Sequence, residues 1–133
     1  MGSSWVARGL VLVAIVYTTA LTLGSLVRPV QVDIEVNHLD KYVHFAAYFG
    51  LVLLWLCVAR VFFKNQKITQ KPMRLYLLVA IAAVIYGIII ELLQGNITDY
   101  RSQDIWDAVA NITGVITGSC VFLAFFKNLQ ILK

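Results

Sequence analysis

The sequence predicts an all-α membrane protein: a four-helix transmembrane bundle with both termini on the cytoplasmic side. Three observations predict it. The 133 residues are 60% hydrophobic with a mean hydropathy of +0.81, whereas soluble domains are roughly 45–50% apolar even with Gly counted. Four apolar runs, each near the ~20 residues a bilayer crossing requires, are separated by short polar stretches. The basic residues are also unevenly distributed among those stretches. The length leaves room for one domain, 1–133. Cys57 and Cys120 fall inside apolar runs and are expected to pack as small hydrophobes. Neither a metal-ligand Cys spacing nor a nucleic-acid motif is present.

The first span is expected at about 9–27, GLVLVAIVYTTALTLGSLV. Thr18, Thr19, Ala20, Thr22, Gly24 and Ser25 give its second half small, weakly polar faces suited to helix packing. A cleaved signal sequence is the rival reading, but the run is long for a signal core and only Arg8 precedes it. Pro29 prevents the helix from continuing, and VQVDIEV is a short alternating stretch in the loop that follows.

The second span is expected at about 40–63, with Asp40 as a suitable N-cap. Lys41, His44 and Tyr48 follow at steps of three and four and share one face. The linker 64–74 carries Lys64, Lys67, Lys71 and Arg74 with no acid. Pro72 helps start the third span, about 75–94, which is apolar until Glu91 and Gln94 in its last turn, after Gly87. A turn is expected from Gly95 to Gln103.

The fourth span, about 104–126, carries a stripe of Asp104, Asp107, Asn111, Gly114 and Gly118 at steps of three or four. Its polar half forms one wall of a pocket, and its glycine half lets another helix approach closely. A short amphipathic tail, NLQILK, follows and is expected to lie in the headgroup region. Trp5 and Trp106 sit at opposite membrane boundaries as interface anchors. Trp55 lies mid-span, as a packing or lipid-facing residue.

Four spans place Arg8, Lys64, Lys67, Lys71, Arg74, Lys127 and Lys133 on one side, with Arg60 just inside it, and Arg28, Lys41 and Arg101 on the other. The positive-inside rule makes the first side cytoplasmic. All seven Asp and Glu residues and both histidines then fall at the outer side. The polar cluster is therefore expected in the outer leaflet, opening away from the cytoplasm.

Charged groups in hydrocarbon cost at least a few kcal/mol each unless paired. Lys41 or Arg101 is accordingly expected to meet Glu91, Asp104 or Asp107 inside the bundle. His44, Glu91 and Asp107 are the candidates for acid–base chemistry, because a His beside carboxylates in a partly dry site can be tuned towards neutral pH. Lys41, Tyr48, Gln94, Arg101, Asp104 and Asn111 are the candidate ligand-binding residues. Gly87, Gly114 and Gly118 are the candidate packing positions.

The bland alternative makes Lys41, Asp40 and Asp99 a structural clamp, and Asp104 an N-cap. Glu91, Asp104, Asp107 and His44 together also make an oxygen-rich set able to take a divalent metal. No H-E-x-x-H motif marks it, so the sequence requires no cofactor and leaves the metal open. No G-x-S-x-G and no activated nucleophile is evident.

Three pieces of sequence carry a family resemblance. They are Asp40-Lys41-x-x-His44-Phe45-x-x-Tyr48-x-x-Leu51, Gly87-x-x-x-Glu91-x-x-Gln94, and Arg101-x-x-Asp104-x-x-Asp107-x-x-x-Asn111-x-x-Gly114-x-x-x-Gly118. In this order, on successive helices, they resemble the VanZ-like family of small bacterial integral membrane proteins. The resemblance implies multi-pass residence in the bacterial cytoplasmic membrane and a cell-envelope role. It also brings a family link to antibiotic resistance, towards glycopeptides and notably teicoplanin.

The expected function is an outer-leaflet polar pocket for an amphiphile, such as a lipid-linked envelope precursor, a phospholipid headgroup or a lipid-tailed glycopeptide. One alternative is a membrane-embedded, metal-assisted hydrolase or transferase on such lipids. The other is a structural or assembly protein. Membrane lipids are the expected partners, nucleic acid is not, and oligomeric state is open.

Overall fold

The computed structural model describes residues 2–27, 39–65, 72–97 and 104–131, with side chains described for 5–27, 39–62, 72–96 and 104–125. Four helices make up the described chain: α1 Gly2–Leu26, α2 Leu39–Asn65, α3 Met73–Ile97 and α4 Ile105–Ile131. All four are long and apolar enough to cross a membrane. At 1.5 Å per residue each spans about 37–40 Å, which covers a hydrocarbon core of about 30 Å and part of the interface.

The helices overrun the expected spans because hydropathy marks only the part that lies in hydrocarbon. α1 begins at Gly2 rather than near 9, since nothing in SSWVAR breaks a helix. α3 runs through Gly95 to Ile97 rather than turning at Gly95, and the Asn96 side chain donates back to Leu92 O at 2.7 Å. The expected separate tail is also revised: α4 continues through Asn128 to Ile131, a stretch without Gly or Pro. Pro72 does start α3, with its carbonyl accepting the Tyr76 amide at 3.1 Å.

α2 touches each of the other helices, and its contact with α4 is the most extensive; α1 and α4 do not pack on each other among the described residues. α2 and α4 run parallel in a steady register, with His44 opposite Asn111 and Val52 opposite Gly118. Gly114 and Gly118 make this possible. A Cβ on Gly114 would collide with the backbone carbonyl oxygen of Phe45 and lie 3.1 Å from the Phe49 amide nitrogen. One on Gly118 would lie 2.6 Å from Val52 Cγ1 and 3.0 Å from Phe49 O.

Below this contact the core closes around Leu51, Val52, Leu56, Val115 and Phe122. The Phe122 ring meets Tyr76 edge to face at 5.3 Å. Trp5 and Trp106 are exposed at opposite ends of the bundle, as anchors should be. Cys120 is exposed on the outer face of α4 rather than packed inside.

α1 is attached differently. Most of its large residues, such as Leu12 and Val16, are exposed. It is tethered by hydrogen bonds: Tyr17 OH to Ala47 O at 2.9 Å, Trp55 Nε1 to Thr18 Oγ1 at 3.1 Å, and Thr22 Oγ1 with Tyr86 OH at 2.7 Å. Interhelical bonds of this kind hold helices together where lipid removes the hydrophobic drive. Trp55 is thus a donor to α1 as well as a packing residue. Of the small residues expected to pack, Thr18, Thr22 and Ser25 are used, whereas Thr19, Ala20 and Gly24 are exposed.

Gly114→Ala is expected to lower stability by roughly 1–3 kcal/mol or more, because the obstruction is backbone that cannot rotate away. Gly24→Ala, which meets nothing within 4 Å, should be neutral or stabilising by up to ~1 kcal/mol. Thermal unfolding in detergent distinguishes the two; equal effects would mean that the α2–α4 approach is looser than described.

Candidate functional site

The polar residues gather at the end of the bundle where α1 and α3 finish and α2 and α4 begin. Asp104 opens α4 as its N-cap, with Oδ1 accepting the Trp106 amide at 2.9 Å. Its Oδ2 accepts from Lys41 Nζ at 2.7 Å. The same ammonium donates to Asp107 Oδ1 at 3.0 Å and to Asp40 Oδ2 at 2.8 Å. Asp40 does not cap α2 as expected. The helix begins at Leu39, which places Asp40 in the first turn, where a carboxylate still suits the helix dipole. Lys41 therefore joins the start of α2 to the start of α4 through three charge-assisted bonds.

One turn deeper lies a buried layer of His44, Asp107, Asn111 and Glu91. Asn111 is its hinge. Its Nδ2 donates to Glu91 Oε1 at 3.1 Å, and its Oδ1 faces His44 Nδ1 at 3.1 Å. His44 Nδ1 also lies 3.4 Å from Glu91 Oε1, and its Nε2 lies 3.6 Å from Asp107 Oδ2. These contacts join α2, α3 and α4 at one point. Gln94, 2% exposed, completes the layer by donating Nε2 to Ser25 O at 2.9 Å, which draws in the end of α1.

Tyr48 lies beneath His44 on α2. Its ring rests on Gly87, where a Cβ would stand 2.9 Å from Tyr48 Cε1. The residue is 1% exposed, and its hydroxyl has no hydrogen-bond partner among the described residues. His44 and Tyr48 line a cleft of ≈ 330 Å³ between α1 and α2, whose other walls are Leu21, Gly24, Ser25, Val43 and Ala47. A second, almost wholly apolar cavity of ≈ 320 Å³ lies deeper, lined by Thr18, Leu51, Trp55, Val79, Ala82, Ala83 and Tyr86. Tyr48 of the first and Tyr86 of the second are in contact, their rings tilted by 38° with centroids 6.0 Å apart.

The residues singled out in the sequence thus converge: Lys41, His44, Tyr48, Glu91, Gln94, Asp104, Asp107 and Asn111 share one end, with Gly87, Gly114 and Gly118 beneath them. Arg101 lies outside the described residues, as do His38 and Asp99. Lys41 meets its aspartates as expected, while Glu91 is engaged by Asn111 and His44. Ser25, Thr18, Thr22 and Tyr86 were not among the site candidates. For Thr18, Thr22 and Ser25 the signal was present in the polar residues spaced along the first span; Tyr86, on the third, carried none. Two groups bring metal-type ligand atoms within 4.8 Å of one another: His44, Glu91 and Asp107, all buried, and Asp40, Asp104 and Asp107 around Lys41.

Lys41, and then the Trp106 amide, hold the Asp104 carboxyl below its ordinary value of 3.8. A depressed folded-state value contributes stability that is present above 3.8 and is lost as pH falls through the lower folded value. Asn caps helices as well as Asp, so Asp104→Asn removes the charge contact alone. The melting temperature of wild type should exceed that of Asp104→Asn at pH 6, and the gap should close on acidification below the ordinary value of 3.8. A gap independent of pH would show that the Lys41 contact is not the source.

No curated protein and no solved structure matches the chain at a significant level. The VanZ/LLP1 family model, in contrast, aligns with residues 6–127, from the first turns of α1 to the last turns of α4. That match takes in every helix and every described residue of the polar layer, and on this ground the chain belongs to the VanZ/LLP1 family.

Proposed function

We propose that this VanZ/LLP1-family membrane protein binds an amphiphile at the extracytoplasmic end of its bundle, with 1–133 as a single domain. A lipid-linked cell-envelope component is the ligand class we favour. The observation that carries the reading is the Tyr48 hydroxyl. It is a buried donor with no partner among the described residues, on a side chain that lines an otherwise mainly apolar cleft. Buried polar groups are nearly always satisfied, so an occupant bearing an acceptor fits that wall. His44 stands beside Tyr48 on the same wall. The apolar walls, with the deeper cavity beneath, suit a hydrocarbon tail.

In this reading Lys41 and Arg101 attract an anionic head, while His44, Asn111, Glu91 and Asp107 orient it or exchange protons with it. Gln94 positions the end of α1 beside the cleft, and Asp104 positions Lys41. The distribution of basic residues supports a topology with both termini cytoplasmic and the polar layer on the opposite side, and the family resemblance favours the bacterial cytoplasmic membrane. A contribution to glycopeptide resistance would then follow from capture of a lipid-tailed antibiotic by the same pocket.

Tyr48→Phe removes one hydrogen bond and no volume. It should weaken binding of a polyprenyl phosphate in nanodiscs by about five- to tenfold, the equivalent of ~1 kcal/mol. Arg101→Ala should weaken it as well. Titration of the reconstituted protein measures both, and unchanged affinity in both variants would refute the pocket.

A second reading is favoured by the burial of His44, Glu91 and Asp107 together. It is a metal-assisted hydrolase or transferase on the same lipids. Its signature is turnover that disappears in Glu91→Gln while the variant remains folded. Turnover that survives this change would remove Glu91 from the chemistry.

A further inference from the structure

The end of the bundle opposite the polar layer has a charge pattern of its own. α1 and α3 start there and α2 finishes there, because Gln94 near the end of α3 bonds Ser25 near the end of α1 at the other end. Of the 11 Lys and Arg residues, only Arg28, Lys41 and Arg101 belong in chain order to the polar end, and the other eight belong here. No Asp or Glu occurs in 1–32, 41–90 or 108–133, the stretches that build this end. The positive-inside rule accounts for the sign of such an end. It does not account for a cation placed within the span itself.

Arg60 is that cation. It lies inside the apolar span Leu39–Phe62 and is half-buried. Val52 is the midpoint of α2, Leu39–Asn65, and at 1.5 Å per residue the Arg60 backbone stands about 12 Å from it. That is just inside the ~15 Å half-thickness of a hydrocarbon core, and a guanidinium at this depth extends outward to the phosphate layer. On α1, Arg8 lies 6.0 Å from the ring centre of the exposed Trp5, a residue type that marks headgroup depth. Arg74 is exposed in the first turn of α3. The starts of α1 and α3 add the partial positive charge of their helix dipoles.

We infer that this end is a docking surface for an anionic phospholipid, with Arg60 receiving the phosphate and Arg8 and Arg74 adding to the attraction. The partner follows from sign and depth together. A guanidinium fork matches phosphate oxygens two at a time, which an ammonium does not. Lys and Arg clustered beside a span draw anionic lipids to it. Arg60 and Trp5 stand at the levels that lipid headgroups occupy, whereas a soluble acidic protein or a nucleic acid would meet only cations beyond the helix ends. The surface is independent of the amphiphile pocket, which lies at the opposite ends of the same helices.

The test titrates the full chain, in a non-ionic detergent, with phosphatidylglycerol or with phosphatidylcholine of the same acyl chains, and reads binding as thermal stabilisation. Phosphatidylglycerol should bind about tenfold or more tightly, at about fivefold per arginine engaged. Arg60→Gln should weaken it by about fivefold, Arg60→Lys by less, and Arg60→Gln with Arg74→Gln by about 25-fold. Phosphatidylcholine binding should stay unchanged in each. Arg74→Gln alone, at an exposed position, gives an independent reading should Arg60→Gln fail to fold. Raising salt from about 0.1 M to about 1 M shortens the screening length from about 10 Å to about 3 Å and should remove most of the preference. Arg101→Ala, at the polar end, should keep it. Equal binding of the two lipids by wild type would overturn the inference, as would a preference that survives the double variant or is lost in Arg101→Ala instead. Equal stabilisation by soluble glycerol 3-phosphate would overturn it too, because the anion would then need no lipid.

Discussion

The close parallel contact of α2 with α4 is the constraint on which the rest of the molecule depends. In lipid, helices gain little from burying apolar side chains, so packing distance and polar pairing decide association. Gly114 and Gly118 let the backbone of α4 approach that of α2 at Phe45 and Phe49. Once that register is set, two polar pairs above it follow at nearly the same offset along the two helices: Lys41 with Asp107, and His44 with Asn111. A side chain at residue 114 would separate the helices at the level just below these pairs. The glycine contact and the polar layer are therefore one device, in which the lower half sets the distance at which the upper half can bond.

The two flanking helices are held by different means, and the difference shapes the cleft. α3 joins the core through Tyr76 and Ala83 and the polar layer through Glu91. α1 presents mostly exposed apolar residues and is fastened by Tyr17, Thr18, Thr22 and the Ser25 carbonyl. Hydrogen bonds act at points, whereas interlocking side chains seal a seam. Cavities therefore remain between α1 and its neighbours at two depths, one beside His44 and Tyr48 and one beside Trp55 and Tyr86. Under the proposed function, these cavities would give a membrane-borne ligand its entry path.

Several features of the polar layer were legible before any coordinates. The steps of three and four that connect Lys41 with His44 and Tyr48, Glu91 with Gln94, and Asp104 with Asp107, Asn111, Gly114 and Gly118 place those residues on common faces. Charge in a hydrophobic chain must find partners, so their convergence could be anticipated. Helix ends were less legible, because hydropathy reports the hydrocarbon boundary while backbone hydrogen bonding continues past it. Gly95 illustrates this: a glycine is a stop only where the chain needs a conformation that other residues resist. The part played by α1 was also obscured, because threonines in an apolar run look alike until their neighbours are known.

What the sequence by itself determined was the number of spans, the end of the bundle that would be polar, and the faces that would meet, since these follow from helical period and the energetics of charge in lipid. Only the tertiary structure decided which partner each group would take. Lys41 gathers three aspartates because α2 and α4 start side by side. Asn111 bridges Glu91 and His44 because α4 packs against both of their helices. These outcomes depend on the relative height and rotation of helices remote in the chain, which no local pattern encodes. The physical reason is that a side chain's partner is chosen at a scale of about 3 Å, whereas periodicity places a residue only on a face.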